Sequence, residues 1–416
     1  MFYLLKQRGI TFLALSNTVS QLGDRLTHMV IIALIGSMFP GKISAFSQFA
    51  LTWSLPIVIL SPFAGVIIDH WNKRAIMFRC HMIQTMLIVL TPVCVVLTKS
   101  SLPIWILVVF FFSLDLFNNA SRNSVVPDLV GIKDYVPANS LIIVFARVAT
   151  FAGMVGGGYL IKWVGWQLGF YIDASTHLIA GLLVLGIGTG SLFAPVKKFE
   201  YSLIRELKKS FFRFMADLRE LAITLTKDRA VIFVMISVAV LPFVASITYT
   251  VLIFLVQQSF ALGTTGVGWF GGVAGIGMLL GGLLMGIFGT KVNRGYIIIA
   301  SITLMATAFL IGPFLDTPFF LYAMAFCVGS LFSFIGIAQD TIIQEDVLKE
   351  IRGRIFATKE FIINVTIVLM VTFIGIISNW LEAYTIVMGA GVFLMSIAVI
   401  SLLVFCAIPK DIRNKL

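Results

Sequence analysis

The chain has 416 residues, of which 59% are hydrophobic and only 12% are charged. Soluble domains are about 45–50% apolar and about 25% charged, so this composition excludes a soluble globular protein and indicates one that crosses a membrane many times. The formal net charge is +11. Most of the basic residues fall on one predicted side of the membrane, so this charge reflects topology and does not indicate nucleic acid binding.

The apolar runs predict twelve transmembrane helices, because a bilayer core of about 30 Å needs about 20 apolar residues per helix. The first run follows a short basic N-terminal stretch without a small-residue cleavage site, which predicts an uncleaved first span. The predicted spans are 10–37, 44–69, 75–98, 102–125, 139–162, 167–190, 230–257, 264–289, 295–314, 317–341, 357–379 and 384–407. The fold class is therefore an all-α membrane protein.

Lysine and arginine predict the orientation of these spans. If the N-terminus is cytoplasmic, 25 of the 30 basic residues fall on the inner side. Cytoplasmic loops carry an excess of these residues, so both termini are predicted to be inside. The longest polar stretch, at 193–229, is then a cytoplasmic linker. Its apolar side chains recur at helical spacing opposite a basic face, which predicts an amphipathic helix on the inner membrane surface.

The two halves of the chain resemble each other at an offset of about 219–221 residues. The segment GVIIDHWNKR at 65–74 and the segment GIFGTKVNR at 286–294 occupy matching loops. This duplication predicts two pseudo-symmetric six-helix bundles, at 1–192 and 230–416, joined by the linker. Two parallel six-helix repeats are typical of secondary transporters, whose substrate path lies between the halves near mid-bilayer.

Span one contains three ionisable residues in an apolar run, Asp24, Arg25 and His28. A charge at the bilayer centre costs about 2.5–3.5 kcal/mol on insertion scales, so this face is expected to line the cavity between the halves. Asp24 and His28 are four residues apart on one helix face, which suits a proton acceptor with a nearby titrating partner. The alternative is an internal Asp24–Arg25 pair that packs span one against its neighbours.

Polar residues in spans four to six complete the candidate substrate and proton-coupling site: Asp115, Asn119, Arg122, Arg147, Asp173 and His177. Asp173 and His177 repeat the spacing of span one, which suits either a proton relay or a hydrogen-bonded pair that holds helices together. Arg147 is expected to be buried and to need an acidic partner, either Asp115 or Asp24.

The loop between spans two and three carries Gly65, Asp69, Lys73 and Arg74. This spacing resembles the signature of the major facilitator superfamily, with departures at His70, usually basic, and Asn72, usually glycine. The resemblance implies that Asp69 latches the two halves on the cytoplasmic side. The alternative is a loop that only fixes orientation. Arg122 is a candidate anchor for an anionic group, and its alternative role is to pair with Asp69.

Three further segments are similar to one bacterial subgroup of that superfamily. They are LGDRLTHM in span one, SRNSVVPDLV after span four and IRGRIFAT after span ten. The subgroup contains enterobactin-type siderophore exporters, macrolide-efflux proteins and lysophospholipid transporters. The resemblance implies a secondary active transporter, with proton-coupled export of an amphipathic siderophore or drug-like molecule as the leading hypothesis. The alternative is a lysophospholipid flippase of the same fold.

Other classes of protein lack support in the sequence. The chain contains no phosphate-binding loop and no zinc-protease motif, and its four histidines show no nucleophile–base pattern, so neither an enzyme nor a cofactor or metal site is expected. All four cysteines lie in or beside apolar runs, which predicts core residues rather than disulfides. The expected partners are the substrate, protons and the lipid bilayer, for a monomer in the bacterial inner membrane.

Overall fold

The computed structural model describes residues 2–188, 212, 229–288, 292–314, 317–346 and 349–409. All regular secondary structure within these ranges is helical. The main helices are α1 (Arg8–Met38), α2 (Ile43–His70), α3 (Lys73–Thr98), α4 (Leu102–Leu129), α5 (Tyr135–Val184), α6 (Arg229–Val238), α7 (Val240–Ile247), α8 (Gly263–Phe288), α9 (Arg294–Ile311), α10 (Pro318–Asp346), α11 (Lys349–Ile377) and α12 (Ala383–Cys406). The predicted linker helix lies outside the described residues, apart from Phe212 and Arg229.

Ten helical stretches of the described chain are long and apolar enough to cross a membrane. One of them, Pro137–Val184, contains predicted span five and most of predicted span six. Helix α1 is a further 31-residue helix, which carries the charged Asp24 and Arg25. Counting the two parts of α5 separately and adding α1 gives the twelve predicted spans, and the all-α membrane class is confirmed.

Helix α5 is interrupted at Gly165, whose φ is +74° and ψ is 172°. This region of backbone space is accessible to glycine and costly for residues with a Cβ atom. The interruption divides α5 into a first arm, 135–164, and a second arm, 166–184. A single residue therefore makes the turn that the sequence places between spans five and six.

In corresponding loops of the two halves, an asparagine caps the N-terminus of the helix that follows. The Asn72 side chain accepts a hydrogen bond from the backbone N–H of Ala75 at 3.1 Å, which caps α3. The Asn293 side chain accepts one from the backbone N–H of Tyr296 at 3.3 Å, which caps α9. Asparagine is favoured at this position because it pairs an amide that has no partner inside the helix. Asn72, one of the two positions that depart from the family signature, is thus a helix cap.

The chain divides into two compact units. The first comprises Met1–Met38 and Thr52–Arg213, and the second comprises Phe39–Leu51 and Phe214–Leu416. The turn after α1 and the start of α2 therefore belong to the second unit. The boundary between the two units lies within α2.

In the first unit, α1 packs closely against α5 through glycines of the first arm. A methyl group at Gly153 would lie 2.8 Å from Cβ of Arg25 and 3.0 Å from the carbonyl oxygen of Leu22. One at Gly157 would lie 3.1 Å from a methyl carbon of Leu26. Small residues allow membrane helices to approach in this way, and here they bring the polar part of α1 into the interior of its own unit.

In the second unit, α8 and α10 approach at backbone distance. Methyl groups placed at Gly277 and Gly281 would overlap or crowd the backbones of Phe326 and Ser330. Gly329 of α10 meets the backbone of Ala274 in the same manner. The second unit also contains two π-helical stretches, Thr248–Leu252 and Leu255–Ser259, which end predicted span seven and which the sequence does not predict.

Candidate functional site

The first unit encloses a cluster of ionisable and polar side chains at the level where α1, α3 and the second arm of α5 meet. Asp24 is 3% exposed, His28 is 8% exposed and His81 is 1% exposed, while Asp173 and His177 are fully buried. We expected the span-one residues to line a cavity between the halves. Asp24 and His28 are buried, and the glycine contacts place α1 against α5 of the same unit. That this face lines a cavity between the halves stays a prediction.

His177 lies between two carboxylates that come from different helices. Its Nε2 atom is 3.8 Å from Oδ1 of Asp24 on α1 and 3.7 Å from Oδ1 of Asp173 on its own helix. Both distances exceed the 2.7–3.2 Å of a formed N–H···O hydrogen bond. The nitrogen therefore faces both carboxylates at nearly equal distance without being hydrogen-bonded to either.

The other oxygen of each carboxylate is already hydrogen-bonded to a neutral donor. The Gln21 amide donates to Oδ2 of Asp24 at 2.9 Å, and the Thr27 hydroxyl donates to Oδ2 of Asp173. Both donors lie on α1. They hold the two carboxylates in place and leave the Oδ1 atoms directed at His177.

The structure assigns His28 different surroundings from those expected. Its Nδ1 atom is 3.0 Å from the backbone carbonyl oxygen of Asp24, one helical turn away. Its ring meets Phe112 edge-on, with centroids 5.2 Å apart. The imidazole nearest to the Asp24 carboxylate across a helix interface is thus His177. Helical spacing within span one could not identify it.

His81 of α3 is a member of the cluster that the sequence analysis missed. Its ring centroid is 5.8 Å from that of His177, and Phe111 meets His177 edge-on from another side at 5.1 Å. Gln84, one turn along α3, is also buried, and its amide donates to the carbonyl oxygen of Phe111 at 3.2 Å. A histidine followed by a glutamine one turn later in an apolar span was the signal available in the sequence.

Gly23 explains how the carboxylates come so close to His177. A methyl group at this position would overlap the Thr176 hydroxyl and would lie 3.0 Å from Oδ1 of Asp173 and 3.1 Å from Nε2 of His177. Glycine before Asp24 is therefore required for α1 to lie against the second arm of α5.

A second group of charged residues adjoins the cluster on α1 and α4. The charges of Asp115, Arg25 and Arg122 all act on Asp24. Arg122 donates a hydrogen bond to Asn17 of α1, and Oδ1 of Asp115 is buried without a hydrogen bond among the described residues. These residues are about half-buried, and so is Asn119. The predicted polar stripe of span four thus lies beside the carboxylates of the cluster.

Arg147 is not part of this site. The expectation that it is buried against Asp115 or Asp24 is wrong, because its side chain is exposed. It lies on the face of the first arm of α5 that also exposes Val144, Val148 and Phe151. The rotation of a helix about its axis places Arg147 away from the cluster, and hydropathy along the chain does not report that rotation.

The basic pair of the loop between α2 and α3 binds helix ends inside the first unit. Lys73 forms an ion pair with Asp128 at 2.9 Å and donates to the carbonyl oxygen of Ser124 at 2.8 Å, both at the end of α4. Arg74 donates to the carbonyl oxygens of Val184, at 3.0 Å, and Leu185, at the end of α5. Cations at helix C-termini are favourable because they satisfy carbonyls and oppose the helix dipole.

The remaining residues of that loop, Gly65 and Asp69, belong to the last turns of α2. Their side-chain surroundings fall outside the described part of the structure. The latch, and the pairing of Asp69 with Arg122, therefore stay predictions.

The second unit contains a smaller polar site. Lys359 of α11, which is 6% exposed, forms an ion pair with the half-exposed Asp340 of α10. Next to it on α10, the amide of the buried Gln339 donates to the Ser237 hydroxyl at 3.1 Å. Among the described residues no group of three or more His, Cys, Asp or Glu side chains suits a metal ion.

Helices of membrane-spanning length, with ionisable groups buried inside one unit, are typical of secondary transporters. Residues 13–358 match the sequence profile of the Major Facilitator Superfamily. The chain belongs to this family, and it is a membrane-spanning transporter.

Relatives and solved structures agree with this assignment. Macrolide efflux protein A of Streptococcus pyogenes is 25% identical over 420 residues, which cover 95% of this chain and 94% of that protein. Macrolide efflux protein A of Enterococcus faecalis is 26% identical over 327 residues, which cover 73% and 91%. A crystal structure of a variant of the nucleoside transporter NupG superposes with a TM-score of 0.73 at 15% identity, over 95% of this chain and 99% of that one. This structural likeness establishes the fold alone.

Proposed function

We propose that this transporter exports an amphipathic small molecule, of the siderophore or drug-like class, in exchange for protons and by alternating access. Two relatives that align with most of the chain are named as macrolide efflux proteins, which supports export of such molecules. The chain contains 37 phenylalanines and 16 methionines, residue types that suit an adaptable apolar binding surface.

The observation that carries the proton-coupled part is the buried cluster of Asp24, Asp173 and His177. Burying charges in a low-dielectric interior costs several kcal/mol per ion, and apolar side chains could pack the same helices without that cost. A group that binds and releases a proton changes this cost during each cycle. The energy of proton entry can therefore favour one conformation over the other.

The proposal includes the orientation of the protein in the membrane and its oligomeric state. Both termini lie in the cytoplasm, as the distribution of basic residues predicts, and the protein works as a monomer in the bacterial inner membrane. Protons then enter from the outer side and substrate leaves in the opposite direction.

The test uses inverted membrane vesicles that contain the full-length protein. A pH gradient, acidic inside, should drive accumulation of a macrolide, and nigericin, which dissipates the gradient, should abolish it. The substitution Asp24→Asn should lower gradient-driven uptake by about tenfold or more, within the range of coupling free energies between two sites. Glu382→Gln, which removes an exposed carboxylate outside the cluster, is the matched control and should retain uptake.

Two outcomes contradict the proposal. Full uptake by Asp24→Asn would remove this carboxylate from coupling. Gradient-independent movement of a fluorescent lysophospholipid, with no uptake of macrolide or siderophore, would support the alternative lysophospholipid flippase. In that alternative, Asp24 would meet a headgroup amine and Arg122 a phosphate.

A further inference from the structure

We propose that His177 is the proton carrier of the first unit and that it transfers one proton between Asp24 and Asp173. This inference rests on the proposed function, because it names the residue that carries the coupled proton. The two spacings of four residues in spans one and six suggest two separate pairs, whereas the structure joins them into one site.

The Nε2 atom of His177 lies between two carboxylate oxygens. It is 3.8 Å from one carboxylate oxygen and 3.7 Å from the other, so a shift of less than about 1 Å towards either Asp24 or Asp173 forms a hydrogen bond of ordinary length. Since both nitrogens of His177 lack a hydrogen-bond partner among the described residues, such a shift breaks no bond of the ring. The ring thus has two hydrogen-bonding positions at similar distances.

Two hydrogen-bond donors on α1 orient the carboxylates on either side of His177. Gln21 and Thr27 each donate to the Oδ2 atom of one carboxylate, and the Oδ1 atoms face His177. Oδ1 of Asp173 also accepts a long hydrogen bond from the Thr176 hydroxyl at 3.5 Å. Oδ1 of Asp24 is buried and has no hydrogen bond among the described residues. A site built only to hold helices together would bring these atoms to hydrogen-bond distance.

The transfer balances without any other reactant. The O–H bond of protonated Asp24 breaks as an N–H bond forms at Nε2, which leaves a carboxylate beside an imidazolium. The N–H bond then breaks as an O–H bond forms at Oδ1 of Asp173, and the imidazole of His177 is neutral again. The net charge of the three groups is the same before and after, so a buried charge is not created overall.

Charged and titratable groups face His177 from each helix packed around it. They are Asp24, Arg25 and His28 on α1, His81 on α3, Asp115 and Arg122 on α4 and Asp173 on the second arm of α5. Arg25 and Arg122 are opposite charges near Asp24, and Asp115 and Asp173 are like charges near it. Asp24 therefore has charged neighbours of both signs. His81 lies beside the imidazole of His177.

Proton transfer would act directly on the contact between two helices. Asp24 belongs to α1 and Asp173 to α5, and Gly23 leaves no free space between these helices at this level. A hydrogen bond formed on one side of His177 and lost on the other changes which helix the ring is bound to. The position of one proton thus biases the packing of α1 against α5.

The experiment records ring nitrogen NMR spectra of the full-length protein, labelled at histidine, in lipid nanodiscs between about pH 5 and pH 9, a range that brackets an ordinary imidazole. The chain contains only four histidines, His28, His70, His81 and His177. Single replacements by glutamine assign each signal. The His177 signal should move in both Asp24→Asn and Asp173→Asn, and it should not move in the control Glu382→Gln.

Transport measurements then distinguish a proton-carrying role of His177 from a purely structural role. The variant His177→Gln should lose about tenfold or more of gradient-driven uptake while it retains exchange of labelled for unlabelled substrate, which needs no net proton movement. Loss of both activities with a well-folded protein would contradict the carrier role. An unchanged His177 signal in Asp24→Asn would overturn the proposal outright. The NMR result does not depend on the substrate. A failure of the exporter proposal can therefore be distinguished from a failure of the proton-carrier role of His177.

Discussion

Gly23 of α1 lies so close to Thr176 of α5 that a methyl group at Gly23 would overlap the threonine hydroxyl. This contact brings Asp24, Asp173 and His177 together, and it makes the site sensitive to the volume of a single side chain. Membrane helices that meet at glycine tolerate substitution poorly, because the helix backbones must separate to accommodate a larger residue.

The substitution Gly23→Ala should therefore destabilise the first unit by about 1–3 kcal/mol, the usual cost of overpacking. Thermal unfolding in detergent measures the effect. Gly156→Ala is the matched control, because no atom lies within 4 Å of the added methyl group. Combination with Thr176→Ala should recover part of the loss, and a Gly23→Ala protein as stable as the control would show that the close contact is absent.

The contact between α8 and α10 gives a corresponding prediction for the second unit. An added methyl group at Gly281 meets the backbone of Ser330, which cannot rotate away as a side chain can. Gly281→Ala should lower the unfolding temperature, at a cost of about 1–3 kcal/mol. Gly275→Ala, on the same helix with open space around it, should be neutral. Equal stabilities for the two variants would contradict the close packing of α8 against α10.

Arg74 should stabilise the C-terminal end of α5 through its planar guanidinium group. It donates to two carbonyl oxygens, those of Val184 and Leu185, so Arg74→Ala removes both hydrogen bonds. Faster hydrogen exchange of the backbone around residues 180–186 is expected. Arg74→Lys should restore only part of the protection, because a single ammonium group does not reproduce the fork of donors. Complete restoration by lysine would mean that charge alone matters.

Lys359 and Asp340 offer a double-mutant test. Asp340→Asn leaves the buried ammonium of Lys359 without its charged partner and should cost about 1–3 kcal/mol of unfolding free energy. The further change Lys359→Met removes the unpaired charge and should recover most of that loss. Additive losses in the double variant, measured by thermal unfolding, would show that the two side chains do not interact.

Much of the fold follows from local features of the sequence. Hydropathy identified the spans because each apolar run must cross the bilayer by itself, whatever its neighbours are. The repeat of loop sequences also had a local consequence, since Asn72 and Asn293 cap α3 and α9 in matching positions. The π-helical stretches of span seven had no such signal.

The candidate site was predictable in part. The sequence singled out Asp24, Asp173 and His177 because ionisable residues are rare in apolar spans. It missed His81, and it placed Arg147 in the interior although the side chain is exposed. Lys73 and Arg74 were recognised as a basic pair, whereas their contacts with the ends of α4 and α5 required the packed unit.

The sequence by itself determined that the chain is a helical membrane protein and which ionisable residues lie within its apolar spans, since the cost of placing each segment in lipid depends on that segment alone. Only the tertiary structure decided the partners of those residues. The azimuth and separation of packed helices depend on side chains distant along the chain, so a carboxylate in the first span meets an imidazole of the sixth. Without that meeting no pathway for a proton could be drawn.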